Sequence, residues 1–367
     1  MNENTCCLCD RQVEPEALVV FDGQIMCLDC LNQHTIICFE CGNRVWEHQN
    51  AGTGERPLCQ HCADRYYVNC CQCGAQISQS DAYYESDDGE DPYCESCFQQ
   101  LQRGKPIRDY YFKPAPKFHG NGNRYFGVEL EIDGAGEYRS NALKLLDIAN
   151  TCEAENLYIK HDGSLEEGFE LVTHPMTLEY HLEEMPWEEV LHEAAALGYF
   201  SHQTTTCGLH VHISRKAFGD TQEEQDTVIA RLLFFVEKMW NELLKFSRRT
   251  PRQLERWAAR YGYRECPKEL LEQAKKGCSG RYVAVNLQNQ DTIEVRIFRG
   301  TLKYSTLVAT LQLLDRICDV VLALDDDELK NLSWSAFAAG CEAAELVQYL
   351  KVKRLYVNEP VTEGRDL

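Results

Sequence analysis

Between residues 126 and 299, seven side chains have the types and spacing of a reactive site. Glu129 and Glu131 stand at alternate positions of FGVELEID (126–133), with Phe126, Val128, Leu130 and Ile132 between them and Asp133 following. His210 and His212 alternate with Leu209, Val211 and Ile213 in CGLHVHIS. In TIEVRIFRG, Glu294 and Arg296 alternate with Ile293, Val295 and Ile297, and Arg299 lies just beyond; in GFELVTHP, Glu170 and His174 oppose Phe169 and Leu171. Taken singly, each stretch reads as an ordinary half-buried strand with one wet face. The His pair alone fits a zinc or iron ligand pair as well as two polar residues in water.

Together they point further. If these strands share one sheet and one core, the opposite face collects Glu129, Glu131, Glu170, His210, His212, Glu294 and Arg296. Carboxylates on alternate strand residues sit roughly 7 Å apart, and several in a concavity repel one another unless a cation bridges them. An oxygen-rich set with open positions suits Mg²⁺ carrying nucleotide phosphates. Arginines at the rim would then face those phosphates, which is phosphoryl chemistry. There is no Walker A motif, and GNGNRYFG (120–127) is a poor echo of a glycine-rich loop, so the sheet itself must hold any nucleotide. Asp162, Gly163 and Ser164 in HDGSLEEG read as a turn.

The period of two predicts four strands to position these groups. QEEQDTVIARLLFFVEKMWNELLKFSRR (222–249) predicts one long amphipathic helix, acidic at its start and basic at its end as the helix dipole favours. In the segment that follows, Arg252, Arg256 and Arg260 recur at helical spacing, either as a solvated stripe paired with Glu255 and its neighbours or as a clamp on a carboxylate or nucleotide. RYVAVNLQN (281–289) alternates like a further strand and brings Asn286 beside the polar face; 305–324 and 334–351 read as helices backing the sheet.

A second chemistry fills the first hundred residues. Six CxxC pairs occur there: Cys6 and Cys9, Cys27 and Cys30, Cys38 and Cys41, Cys59 and Cys62, Cys70 and Cys73, Cys94 and Cys97. Alternate pairs begin at 6, 38 and 70, a period of 32, with 17, 17 and 20 residues inside the three modules and seven between modules. Two such knuckles complete a closed tetrahedral thiolate site, so sequential pairing predicts three structural zinc ions. Cys7, Cys71 and His61 lie inside knuckles as bystanders. Closed sites leave no open coordination position, which assigns this half to recognition rather than catalysis. Cys152, Cys207, Cys266, Cys278, Cys318 and Cys341 are scattered and are expected to be buried free thiols.

Composition narrows the partners. The formal net charge of -21 argues against a nucleic-acid surface and favours a peptide or protein substrate, or an amine-bearing small molecule. The beginning MNENTCCLCD has no basic region followed by an apolar one, and no run of apolar residues is long enough for a membrane span, so a cytoplasmic location is expected. GKPIRDYYFKPAPKFHGNGN has three prolines and no apolar period, which divides the chain into zinc modules (1–103), a linker (104–123), a catalytic domain (124–357) and a tail (358–367).

In that order, RYFGVELEID, DGSLEEGFELVTHP, CGLHVHIS and TIEVRIFRGTL resemble the amidoligase family of ATP-dependent carboxylate–amine ligases with a glutamine-synthetase-like fold. The resemblance spans about 124–325 and leaves the cysteine array outside it. It implies an α+β fold, an antiparallel sheet with helices on one face, preceded here by small zinc-ribbon or knuckle modules. It implies magnesium binding by Glu129, Glu131, Glu170 and Glu294, and metal or phosphate contact by His210 or His212. Phosphate would be held by Arg296, helped by Arg299, and catalysis would rest on Glu129, Glu131, Arg296 and Arg299. The reaction implied uses ATP to convert a carboxylate to an acyl phosphate, which an amine attacks to give an amide or isopeptide bond. Glutamine-synthetase-like sites can be completed by a neighbouring subunit, so an oligomer is compatible with this reading. Two other readings stay open: a zinc-scaffold adaptor without turnover, and an ATP-dependent phosphotransferase on the same fold.

Overall fold

The computed structural model describes residues 5–84, 90–102, 104–276, 280 and 282–356; the tail 358–367, Cys278 and residues 85–89 of the acidic loop lie outside the described residues. The chain forms two compact units, Met1–Arg103 and Gly104–Leu367.

The first unit repeats one small design. The first knuckle of a module closes a tight turn, in which Cys6, Cys38 and Cys70 carbonyls accept from the amides of Asp10, Gly42 and Gly74 at 3.0, 2.9 and 2.8 Å. This turn drives the residue after the second cysteine to a φ of 57° at Asp10, 71° at Gly42 and 75° at Gly74. Glycine meets that demand without a Cβ clash, and a short Asp side chain tolerates it. The second knuckle opens a helix: Cys27 and Cys59 are the N-cap residues of Leu28–His34 and Gln60–Tyr66, and Cys94 immediately precedes Glu95–Gln102. The first two helices run directly into the hairpins Thr35–Ile37/Arg44–Trp46 and Tyr67–Asn69/Gln76–Ser78. The seven residues between modules are therefore helix and strand, with no spacer. Each core is little more than its own thiols with Met26 and Leu31, or Leu58, Ala63 and Tyr67. Burial on this scale does not hold so small a unit folded without a staple.

The second unit is mixed α+β, built on a seven-stranded sheet. Its strands are β1 (Ile107–Arg108), β2 (Phe126–Ile132), β3 (Leu157–Lys160), β4 (Phe169–Thr173), β5 (Gly208–Ser214), β6 (Val285–Asn286) and β7 (Thr292–Arg299). They lie in the order β6-β7-β5-β2-β4-β3-β1. Phe126, Val128, Leu130, Ile132, Leu209, Val211, Ile213, Ile293, Val295 and Ile297 are each 2% exposed or less, in one core with the Gln222–Lys238 and Tyr304–Ala323 helices. Each such side chain contributes about 1.5–3 kcal/mol of burial, which fixes the register and commits the intervening residues to the other face.

Three details depart from the sequence reading. The sheet is not purely antiparallel, because β1 pairs in parallel with β3 through Ile107↔Ile159 and Arg108↔Lys160. Part of the segment read as linker is thus folded into this unit. Buried Phe112 anchors it, edge-on to Tyr158 at 5.6 Å and beneath the Arg108 guanidinium at 5.1 Å. Next, the long helix breaks at Met239 (φ -96°, ψ 24°) into Gln222–Lys238 and Trp240–Ser247. The turn lays Phe246 against Phe298 of β7, with ring centroids 6.0 Å apart. Last, the segment 334–351 is two helices, Trp334–Ala339 and Ala344–Val352. Of the scattered cysteines, Cys207, Cys318 and Cys341 are buried, Cys266 is half-buried and Cys152 is exposed. Among the described residues no helix is long and apolar enough to cross a membrane.

Candidate active site

Pairing across the sheet lines up the polar side chains in rows. One row runs Lys160, Glu170, Glu131; the next runs Tyr158, Val172, Glu129, His210; the third runs Gly127, His212, Glu294, Asn286. Glu129, Glu131, Glu170, His210, His212, Glu294 and Arg296 all line one cleft of about 370 Å³. Between β5 and β7 the register shifts, with Leu209 opposite Phe298 but Val211 opposite Val295. This bulge places one extra residue in β7, so Phe298 turns to the core and Arg299 stands opposite Gly208 on the polar side. Arg299 does not line the cleft; its Nη2 donates to the Thr204 carbonyl at 3.4 Å.

His210 is the hub. Its Nδ1 lies 3.6 Å from Glu129 and 3.8 Å from Glu294, and its Nε2 lies 3.9 Å from Glu131. Two groups of ligand atoms result, Glu129–His210–Glu294 and Glu131–Glu170–His210, each with its atoms within 4.8 Å of one another. Glu131, Glu170, Glu294 and His210 are 4–5% exposed, and His210 Nδ1 has no hydrogen-bond partner. Three buried carboxylates with Glu129, set about one imidazole, offer mostly oxygen donors to a hard divalent cation, so the residues fit magnesium.

The electrostatics follow from this crowding. Burial, and then the charge of Glu129, push the Glu170 carboxyl well above the usual range, while burial also raises Glu131 against the pull of His210. Burial opposes ionisation of Glu129 too, but His212 and His210 hold it well below the usual range. Its partner His212 stands 3.0 Å away and is raised by that charge against its own burial. Neighbours steady the groups: Asn286 Nδ2 donates to Glu294 at 2.9 Å, Gly208 N donates to Glu131 at 2.5 Å, Lys160 lies 3.8 Å from Glu170, and Arg296 pairs with Glu294.

Several cleft residues escape the motif reading. Lys160 sits in LYIK, whose alternation with Leu157 and Ile159 is the signal that finds it. Arg249, Tyr110, Tyr111, Lys113 and Trp257 come from segments without a strand period, and Tyr282 from the alternating RYVAVNLQN stretch. Asp162 and Ser164 form the expected turn, with Ser164 N donating to Asp162 at 2.7 Å, and also line the cleft. Conversely, Asp133 is a structural cap whose carboxylate accepts from the amides of Gly134, Glu166 and Glu167. His174 is buried off the cleft, where burial draws it down to about 4. Arg252, Arg256 and Arg260 do not line the cleft; Arg260 pairs with Glu237 at 2.8 Å, outside the Pro251–Trp257 helix.

In the first unit the thiols gather sequentially as Cys6–Cys9–Cys27–Cys30, Cys38–Cys41–Cys59–Cys62 and Cys70–Cys73–Cys94–Cys97. Sγ atoms of Cys9 and Cys27 lie 3.9 Å apart, as do those of Cys41 and Cys59, and those of Cys73 and Cys94 lie 3.7 Å apart. A tetrahedron with metal–sulfur bonds of about 2.3 Å has edges of about 3.8 Å, so the groups fit zinc. Cys7, Cys71 and His61 stand outside them and are exposed. Burial opposes ionisation of Cys6, Cys38 and Cys70, yet backbone amides around each draw it down to about 6.

No curated protein sequence matches the chain. Among solved structures it is similar to a bifunctional glutathione synthetase from Pasteurella multocida, at 14% identity and a TM-score of 0.35, over 63% of this chain and 46% of that one. The chain therefore spans less than half the length of that protein. The model of a family described as "Putative amidoligase enzyme" matches residues 123–318, which contain all four strands that carry the predicted site. The chain belongs to the amidoligase family, with three four-cysteine groups preceding the family's domain.

Proposed function

We propose that the chain is an ATP- and Mg²⁺-dependent carboxylate–amine ligase on a glutamine-synthetase-like sheet, forming an amide or isopeptide bond through an acyl phosphate. The observation that carries this reading is the pair of ligand groups sharing His210 in one cleft with Arg296. Glu129 and Glu294 would hold one cation and Glu131 and Glu170 a second, with the single free lone pair of a neutral His210 completing one of the two. Bound magnesium supplies neutralisation of the phosphate charge during transfer.

The chain's own groups do the rest. Arg296 keeps its Nη1 on Glu294 while its buried Nε has no partner, leaving a donor for the oxyanion that develops in transfer. Lys160 balances Glu170. Tyr110, Tyr111, Trp257 and Tyr282 wall the cleft and limit the water that would hydrolyse an acyl phosphate. The amine attacks the acyl carbon, the C–N bond forms and phosphate leaves. The three four-cysteine groups would each hold a structural zinc ion, and the array presents the peptide or protein substrate. Between Met1 and Arg103 there are seventeen Asp or Glu, five Arg and no Lys, which suits a basic or amine-bearing partner.

The test is turnover of ATP with Mg²⁺ by zinc-loaded protein in desalted extract of the native host, with hydroxylamine as trap. Hydroxamate and phosphate are expected from wild type and absent with Glu131→Ala. Phosphate retained on an acceptor would replace the ligase with a phosphotransferase. Silence from folded, metal-loaded wild type would replace it with an adaptor.

A further inference from the structure

Arg249 lies outside the four motifs, in the basic tail of the 222–249 segment, yet its side chain lines the cleft. It is 6% exposed, and its Nε donates to the Phe298 carbonyl at 3.1 Å. The guanidinium lies against Gly208: a Cβ built on that glycine would stand 2.4 Å from Arg249 Nη2 and 2.5 Å from His210 Nε2. Gly208 is also the residue that donates to Glu131 and pairs with Arg299 across the ladder. Arg296 and Arg299 each have a buried Nε without a hydrogen-bond partner.

Arg249 and Arg296 thus both line the cleft that holds Glu131, Arg249 beside the glycine whose amide holds that carboxylate and Arg296 with a donor to spare. Burial draws Arg249 down to about 10, with Arg296 and Arg299 adding to the pull and Glu131 opposing it. Buried cations crowded in this way are stabilised by an arriving anion, and forked arginines match the paired oxygens of carboxylate and phosphoryl groups.

We propose that Arg249, laid over Gly208, joins Arg296 as a clamp on the terminal oxyanion of the reaction, either the γ-phosphoryl of ATP or the carboxylate that receives it. The clamp rests on the ligase reading. Gly208 is required because any side chain there would displace the guanidinium.

Calorimetric titration of the full, zinc- and Mg²⁺-loaded chain tests it, with AMPPNP, ADP and acetate as probes. Arg249→Lys removes the fork and keeps a charge; Gly208→Ala keeps Arg249 but moves it together with His210, so Arg249→Lys decides where the two differ. Each variant is expected to bind one probe at least about tenfold more weakly, the cost of a lost charged hydrogen bond, at a temperature where its unfolding curve shows it still folded. Weakening of AMPPNP but not ADP assigns the clamp to the γ-phosphoryl; weakening of acetate alone assigns it to the carboxylate. Equal weakening of both nucleotides, or of no probe, overturns it. Wild type that binds no nucleotide sinks the ligase reading and the clamp with it, whereas nucleotide and acetate binding intact in Arg249→Lys sinks the clamp alone.

Discussion

The two units solve opposite problems with ligating side chains. In the first, four thiols from one short stretch converge on each site, and the ligands are themselves most of the core. In the second, Glu131, Glu170 and His210 come from three strands brought together by a core in which they take no part. The cysteine groups bring their ligands together with little core around them; the carboxylate groups depend on a large core for their assembly. One arrangement is local, the other open and assembled from distant residues.

Removing zinc should give the largest difference. Each four-cysteine site is worth on the order of 10 kcal/mol to its module, so a chelator should free the amides of the first unit to exchange while those of β2 stay protected. Hydrogen exchange on the full chain reads both regions at once, and loss of protection over 126–132 would break the contrast.

A smaller effect separates the core of the second unit from its cleft. His181 is fully buried, with Nε2 3.1 Å from the Phe126 carbonyl and Nδ1 3.2 Å from Trp187 Nε1. The indole can only donate, so the imidazole is neutral with its proton on Nε2. Burial draws it down to about 4, with His119 adding to the effect, against about 6.5 in the unfolded chain. The folded value is the lower one. Its contribution is therefore complete above pH 6.5 and is lost as pH falls toward 4, by up to about 3 kcal/mol. Denaturation midpoints across that range should fall in wild type and flatten in His181→Gln; parallel curves would contradict the assignment.

Glu170→Gln should act in two directions. It removes a buried carboxyl crowded first by Glu129 and then by Glu131, so the metal-free protein should gain about 1 kcal/mol. The thermal shift that saturating Mg²⁺ gives the wild type, about 2.7 kcal/mol at a hundredfold excess over Kd, should shrink. An unchanged Mg²⁺ response would remove Glu170 from the ligand set.

The smallest effect distinguishes two kinds of glycine. At Gly42 a Cβ meets nothing within 4 Å and only the φ of +71° resists it, so Gly42→Asn should cost less than about 1 kcal/mol. At Gly168 a Cβ would stand 1.9 Å from the Ile132 carbonyl, and Gly168→Ala should cost several times more. Equal melting temperatures for the two variants would contradict this.

How legible each region was follows from the same contrast. A period of 32 residues locates every thiol group because its ligands are local. In the sheet, period-two alternation finds Glu129, Glu131, Glu170, His210, His212, Glu294 and Arg296, whose facing is dictated by their apolar neighbours. It fails where the period fails. The bulge in β7 returns Arg299 to the polar side at an odd spacing from Glu294, and β1 is two residues long, too short to carry a pattern. Arg249 follows a left-handed Arg248 (φ 64°) at a helix end, where no periodicity says which way a side chain turns.

The central claim is that a carboxylate oxygen leaves with the phosphate. An acid identified by its trapped hydroxamate, labelled with ¹⁸O in the carboxyl group, can be returned to the enzyme with ATP, Mg²⁺ and the amine, and the released phosphate read by ³¹P NMR. The ligase account predicts one ¹⁸O in each phosphate formed with the amide. Amide formation with unlabelled phosphate would contradict it.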